Sequence, residues 1–131
     1  MVNTMQVLVI DDEEGIRLGL ELALQNAHRV RTASSATEGI SAIRESLPDC
    51  ILLDMFMGEE SGEQVLDFLN TAAPNIPVVI ISAFSTEVLH KKFGANSKQW
   101  IHYRKPIDIG ELRKLLESFE KKKGERDGQH K

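Results

Sequence analysis

With a single cysteine, Cys50, the chain cannot form an intramolecular disulfide. It has no excess of basic residues. The net charge is −4, which argues against a stand-alone nucleic-acid-binding domain, because such domains carry a basic patch. No apolar stretch reaches the length of a membrane span. The first residues, Met1 to Gln6, contain neither the basic nor the long apolar region of a secretory signal. No internal repeat is visible, and His28, His90, His102 and His130 lack metal-ligand spacing. The expectation is a soluble, cytoplasmic protein. Its 131 residues, 41% of them apolar, suffice for one domain with a real core.

Short apolar runs alternate with helical periodicities. The runs are Val7–Ile10, Ile51–Leu53, Val78–Ile81 and the segment from Trp100, with a weaker strand at Arg29–Thr32. Ile16, Leu20, Ala23 and Leu24 stripe a first helix over about Glu13–Gln25. Ser34 or Ser35 is placed to cap a second, with Ala36, Ile40 and Ile43 inward. Gly58–Gly62 reads as a polar loop, Val65, Leu66 and Leu69 mark a third helix, and Ser85–Phe93 is a short fourth. Asp108 to roughly Lys122 is the last helix, with Ile109, Leu112, Leu115, Leu116 and Phe119 inward. Five strand–helix units imply a parallel sheet with helices on both faces. The domain is expected to span residues 1–121, with 122–131 a polar tail or the start of a linker.

Parallel strands end at one edge, where open α/β folds bind ligands. Asp11 and Asp12 follow the first run, Asp54 the third strand, Ser82 the fourth and Lys105 the fifth. Three carboxylates meeting at one edge repel unless a cation lies between them, and oxygen ligands favour a hard ion such as Mg²⁺. Taken singly, Asp11–Asp12 could be a helix cap, Asp54 a loop start, Ser82 a cap and Lys105 a surface lysine. Those readings leave their shared strand-end position unexplained.

Four segments together resemble the receiver domain of bacterial two-component response regulators. They are Val7–Glu13, Pro48–Met55, Ile80–Ala83 and Arg104–Ile107. The resemblance runs from about Met5 to Phe119. It implies a flavodoxin-like (βα)5 three-layer sandwich, with a five-stranded parallel sheet of order 2-1-3-4-5. It implies a phosphorylation-controlled switch in a phosphorelay rather than a conventional enzyme. Asp54 would accept the phosphoryl group from a sensor histidine kinase or phosphotransfer protein. Mg²⁺ (or Mn²⁺) would be held by Asp11, Asp12, Asp54 and the backbone carbonyl of Phe56. Lys105 would place a second positive charge on the phosphoryl group. Ser82 and the N–H of Ala83 would bond its oxygens, and Pro106 would follow Lys105 through a cis peptide. The readout would act on a downstream protein or attached output domain, or through a phosphorylation-dependent dimer. It would involve neither direct nucleic-acid binding nor a membrane.

The chain departs from the family pattern in four places. Gly58, followed by Glu59 and Glu60, stands where a proline is common. Phe56 is bulky at a position that helps govern water's access to the acyl phosphate. His102 occupies the place of an inward-swinging Tyr or Phe, and strand alternation sends its neighbour Tyr103 to the opposite face. Gly94–Ala95 lies further from Lys105 than usual, and residues 96–99 read as added loop. Two other functions compete. A haloacid-dehalogenase-type phosphotransferase wants Asp-x-Asp at one strand end, but Asp11 and Asp12 are adjacent and residue 13 is Glu. A phosphorylation-independent scaffold is disfavoured by the intact set Asp11, Asp12, Asp54, Ser82 and Lys105.

Overall fold

The computed structural model describes residues 4–94 and 99–128. Of the loop expected at 96–99, residues 96–98 lie outside them. Five parallel strands form the central sheet: β1 (Gln6–Ile10), β2 (Arg29–Ala33), β3 (Cys50–Leu53), β6 (Val78–Ser82) and β7 (Ile101–Arg104). Their order is β2-β1-β3-β6-β7, the 2-1-3-4-5 order of the flavodoxin-like fold. Two further strands, β4 (Phe56–Met57) and β5 (Glu60–Ser61), pair antiparallel in a separate small sheet. The polar loop expected at Gly58–Gly62 is therefore partly a hairpin. Gly58, at φ 60°, takes the left-handed conformation at the first of its two turn residues, a position that favours glycine.

The apolar runs look continuous because both faces of the sheet are covered, but alternate residues serve different cores. Leu8, Ile10, Ile51, Leu53, Val78 and Ile80 face one cluster, completed by α2 (Ala36–Glu45), α3 (Glu63–Ala72) and α4 (Thr86–Phe93). Val7, Val9, Cys50, Leu52, Val79 and Ile81 face the other, completed by α1 (Glu14–Leu24) and α5 (Ile109–Gly128). Each fully buried Leu or Ile contributes about 1.5–3 kcal/mol. Among the described residues, nine buried Leu or Ile on the first side and six on the second, with the buried Val and Met beside them, fix the register that brings the strand ends level.

Helix starts follow local chemistry. Ser35 accepts the Glu38 N–H at α2, Ser85 the Val88 N–H at α4, and Asp108 the Glu111 N–H at α5. The last helix runs further than its apolar periodicity, to Gly128 rather than about Lys122. Lys123 forms an ion pair of 3.1 Å with Asp49, which also accepts the Gln6 N–H, so part of the polar extension packs over the opposite edge of the sheet. No helix among the described residues is long and apolar enough to cross a membrane.

Candidate functional site

The pocket is an extension of the sheet ladder. Asp11 N–H donates to the Ala33 carbonyl on β2 at 3.1 Å, and Asp54 N–H to the Ile10 carbonyl on β1 at 2.9 Å. Lys105 N–H donates to the Ser82 carbonyl on β6 at 2.9 Å. These residues sit one step beyond their strands, yet the backbone of each is still held by its neighbour. Carboxylate oxygens of Asp11, Asp12 and Asp54 lie within 4.8 Å of one another. Asp11 and Asp54 are buried, while Asp12 is exposed at the rim. An all-oxygen set of this density suits a hard divalent cation, so the residues fit a metal.

Lys105 faces the carboxylates. Its Nζ lies 3.2 Å from Asp11 Oδ2, 3.6 Å from Glu13 Oε1 and 4.0 Å from Asp54 Oδ2. Burial works against its charge, but Asp54, Asp11 and Glu13 outweigh burial and hold its pKa above the ordinary value. The Lys105–Pro106 peptide is cis.

Asp54 is pushed up to about 6, first by burial and then by the charges of Asp11 and Asp12. The Phe56 N–H, 3.1 Å from Asp54 Oδ1, and Lys105 oppose that rise without cancelling it. Three carboxylates face one ammonium, so the pocket carries more negative charge than Lys105 neutralises.

Asp11 also does part of what a cap does. Its Oδ1 accepts the Glu13 N–H at 2.9 Å while Oδ2 takes Lys105. The helix-start and pocket roles of this residue coexist. Two participants escaped sequence reading. Glu13, expected at the start of the first helix, is the residue before α1 and turns its carboxylate to Lys105. Arg17 donates to the Asp11 carbonyl at 2.6 Å. An Arg one turn into an acidic-capped helix was the available signal.

The opposite wall combines the end of β6 with loops. Ser82 is buried, and its Oγ accepts the Phe84 N–H at 3.1 Å. Ala83 is exposed at the same edge, and its carbonyl accepts from Arg104 Nε at 3.1 Å. Phe56 meets Phe84 with ring centroids 4.6 Å apart and Phe93 at 5.8 Å. Phe84, nearly half exposed, was not singled out by the sequence.

Tyr103 packs on the α1–α5 side and Trp100 on the other, as strand alternation requires. Trp100 stacks on His90 of α4 at 4.6 Å. His102 Nε2 is 3.4 Å from the Ser82 carbonyl and Nδ1 is 2.8 Å from Thr86 Oγ1. A carbonyl only accepts, so Nε2 carries the proton and the Thr86 hydroxyl donates to Nδ1. Burial, and then Arg104 and His90, hold the His102 pKa below its ordinary value despite the Ser82 contact, so the ring is neutral near pH 7.

Fold and site together define a class: parallel α/β domains that gather carboxylates and a lysine at the sheet's C-terminal edge for phosphoryl chemistry on their own aspartate. The model of the response regulator receiver domain matches residues 7–117, and the chain belongs to that family. It is 27% identical over 118 residues to sporulation initiation phosphotransferase F of Bacillus subtilis (strain 168), covering 87% of this chain and 92% of that one. It is 31% identical over 116 residues to transcriptional regulatory protein ZraR of Klebsiella oxytoca, covering 86% of this chain but 25% of that one. Among solved structures, the N-terminal domain of a Wolinella succinogenes protein superposes with a TM-score of 0.84. That pair is 27% identical, with 94% and 99% of the two chains covered. The receiver domain of NtrX from Brucella abortus gives 0.76 at 26% identity, with 88% and 98% covered.

The chain is thus a two-component signalling receiver whose pocket of Asp11, Asp12 and Asp54 is consistent with an aspartate phosphorylation switch. Such a domain performs phosphoryl chemistry on itself and is not a conventional enzyme. The family uses Mg²⁺, and membership implies a kinase or phosphotransfer partner.

Proposed function

We propose that Asp54 is the phosphoacceptor of a cytoplasmic phosphorelay and that the remaining pocket residues serve its phosphorylation and readout. The carrying observation is the convergence of three carboxylates within 4.8 Å around a buried Asp54, with Lys105 opposite. Asp11, Asp12, Asp54 and the Phe56 carbonyl would hold Mg²⁺ (or Mn²⁺), which when bound would supply positive charge to the phosphoryl oxygens. Asp54, ionised once its neighbours are neutralised, attacks the phosphorus of a phosphohistidine on a sensor kinase or phosphotransfer protein. An O–P bond forms as the N–P bond breaks, and the departing imidazole takes its proton from solvent. Lys105 exchanges its carboxylate contacts for the phosphoryl oxygens and stabilises charge there.

The donor has to cover the pocket rim. A groove of about 530 Å³ between α1 and α5, lined by Gly15, Ile16, Gly19, Leu20, Pro106 and Ile109, reaches the pocket through Lys105. Its apolar lining suits a helical donor.

Readout starts at Ser82. New acceptor oxygens on Asp54 draw its hydroxyl away from the Phe84 N–H, and the Ala83 N–H turns to the same oxygens. That movement disturbs the Ser82 carbonyl and Thr86, which together hold His102. The face of α4, β7 and α5 changes, and a partner protein, an attached output domain or a phosphorylation-dependent dimer reads it. On this reading residues 1–121 form the receiver, and 122–131 are a polar tail or the start of a linker.

Acetyl phosphate with Mg²⁺ should add one hydroxylamine-labile phosphoryl mass to the protein. Labelling that proceeds equally well in chelator would refute the metal assignment.

A further inference from the structure

The hairpin that carries Phe56 is tied to the start of α2 by one carboxylate. Glu60 Oε1 accepts the Thr37 N–H at 3.0 Å and the Thr37 hydroxyl at 2.7 Å. Thr37 is the second residue of α2, where a helix leaves its N–H groups without intrahelical partners. Ser35 caps the next one, at Glu38, so the Thr37 N–H falls to Glu60. A carboxylate there also favours the positive end of the helix dipole. Thr37's two hydrogen bonds hold the Glu60 carboxyl below its ordinary pKa.

The other end of the hairpin is closely knit. Met57 pairs with Glu60 and Phe56 with Ser61. Gly62 N–H donates to the Met55 carbonyl at 3.0 Å, and Ser61 Oγ accepts the Glu63 N–H at 3.1 Å. At Gly62 a Cβ would lie 2.7 Å from the Asp54 carbonyl oxygen, so the returning strand passes directly against the residue it serves. A shift at Glu60 is therefore transmitted to Phe56 through paired backbone rather than through slack loop.

We propose that Glu60 is a positioning residue: by clamping the hairpin to the start of α2, it fixes Phe56 beside Asp54. The clamp rests on the reading of Asp54 and of the Phe56 carbonyl given above. It assigns a task to one of two glutamates that replace the expected loop pattern. Its neighbour Glu59 stays exposed at the turn.

The test uses the full chain and its Glu60→Ala, Glu60→Gln and Thr37→Val variants. Mg²⁺ affinity is measured by titration calorimetry, and phosphoryl lifetime after removal of acetyl phosphate. Glu60→Ala should weaken Mg²⁺ roughly three- to tenfold, below the effect of losing a direct outer-shell partner. It should also shorten the phosphoryl lifetime. Glu60→Gln, which keeps an acceptor oxygen, should recover most of both. Thr37→Val should weaken both partly, and the double variant should be no worse than Glu60→Ala alone. A Glu60→Ala protein with a lower Tm but unchanged Mg²⁺ affinity and lifetime would overturn the clamp and leave only a helix cap. An Asp54→Asn protein that still accepts the phosphoryl group would overturn the reading beneath it, and the clamp with it.

Discussion

The acidic wall of the pocket is held by the sheet, whereas the aromatic wall is held by loops. Asp11, Asp54 and Lys105 each keep a backbone hydrogen bond to a neighbouring strand or its end. Phe56 and Phe84 are placed instead by a hairpin and a turn, and His102, whose backbone belongs to β7, has its ring oriented by Thr86 and the Ser82 carbonyl. The first wall gathers charge at fixed separations, as cation binding and phosphoryl transfer require. The second carries Phe56 and Phe84 on segments outside the central sheet ladder, where phosphorylation can be felt without disturbing the sheet. Substitutions in the acidic wall should therefore alter whether the chemistry occurs, and substitutions in the aromatic wall how long its product lasts and where it is felt.

The largest effect is expected at Asp12. Asp12→Ala should lower Mg²⁺ affinity by at least the roughly 10- to 100-fold that outer-shell losses cost. Because Asp12 is exposed, the fold should persist. Unchanged affinity by calorimetry would remove Asp12 from the ligand set.

Next comes a stability effect with a defined pH window. The folded-state pKa of Asp54 is about 6 against an ordinary 3.8, so the metal-free folded state holds this proton more tightly than the unfolded chain. Stability falls as pH rises from about 4 to about 6, and the loss is complete above that. Asp54→Asn removes the carboxylate and should stabilise metal-free protein at pH 7–8 by on the order of 1–2 kcal/mol, after discounting for solvent screening. Below pH 4 the two proteins should converge. Denaturant unfolding across pH checks both the sign and the window.

The same division decides what the sequence could disclose. Asp11, Asp12, Asp54, Ser82 and Lys105 were legible because each follows an apolar run, and parallel topology forces those ends to one edge. The sheet order came from family resemblance and agrees with the structure. The hairpin at Phe56–Ser61 was not legible as one. Its strands are two residues long, too short for periodicity to register. Phe84 and Thr86 gain meaning only from what they touch across the fold. Glu13 and Arg17 carry no mark of a pocket role in the sequence, since helix-start chemistry and pocket chemistry use the same residue types. The extent of α5 was missed because its last turns carry no apolar stripe.

A smaller effect is expected at Phe56. Phe56→Asn opens a water path and should shorten the life of phospho-Asp54 several-fold without preventing labelling. A lifetime unchanged or longer would mean that the ring does not shield the acyl phosphate. The smallest effect concerns the switch itself. Beryllofluoride, as a phosphoryl mimic, should change amide exchange along 84–94 and 99–110, and His102→Ala should blunt it. A coupling of about 1–3 kcal/mol is enough. Changes confined to α1 and α2 would move the output surface elsewhere.

The central claim is that one buried carboxylate at the end of β3 receives the phosphoryl group. Intact-mass spectrometry of the protein after acetyl phosphate and Mg²⁺, run beside Asp54→Asn, tests it most directly. A single added phosphoryl mass, discharged by hydroxylamine and absent from the variant, is the expected result. The same mass retained in Asp54→Asn on another carboxylate, or no mass in either protein, would contradict it.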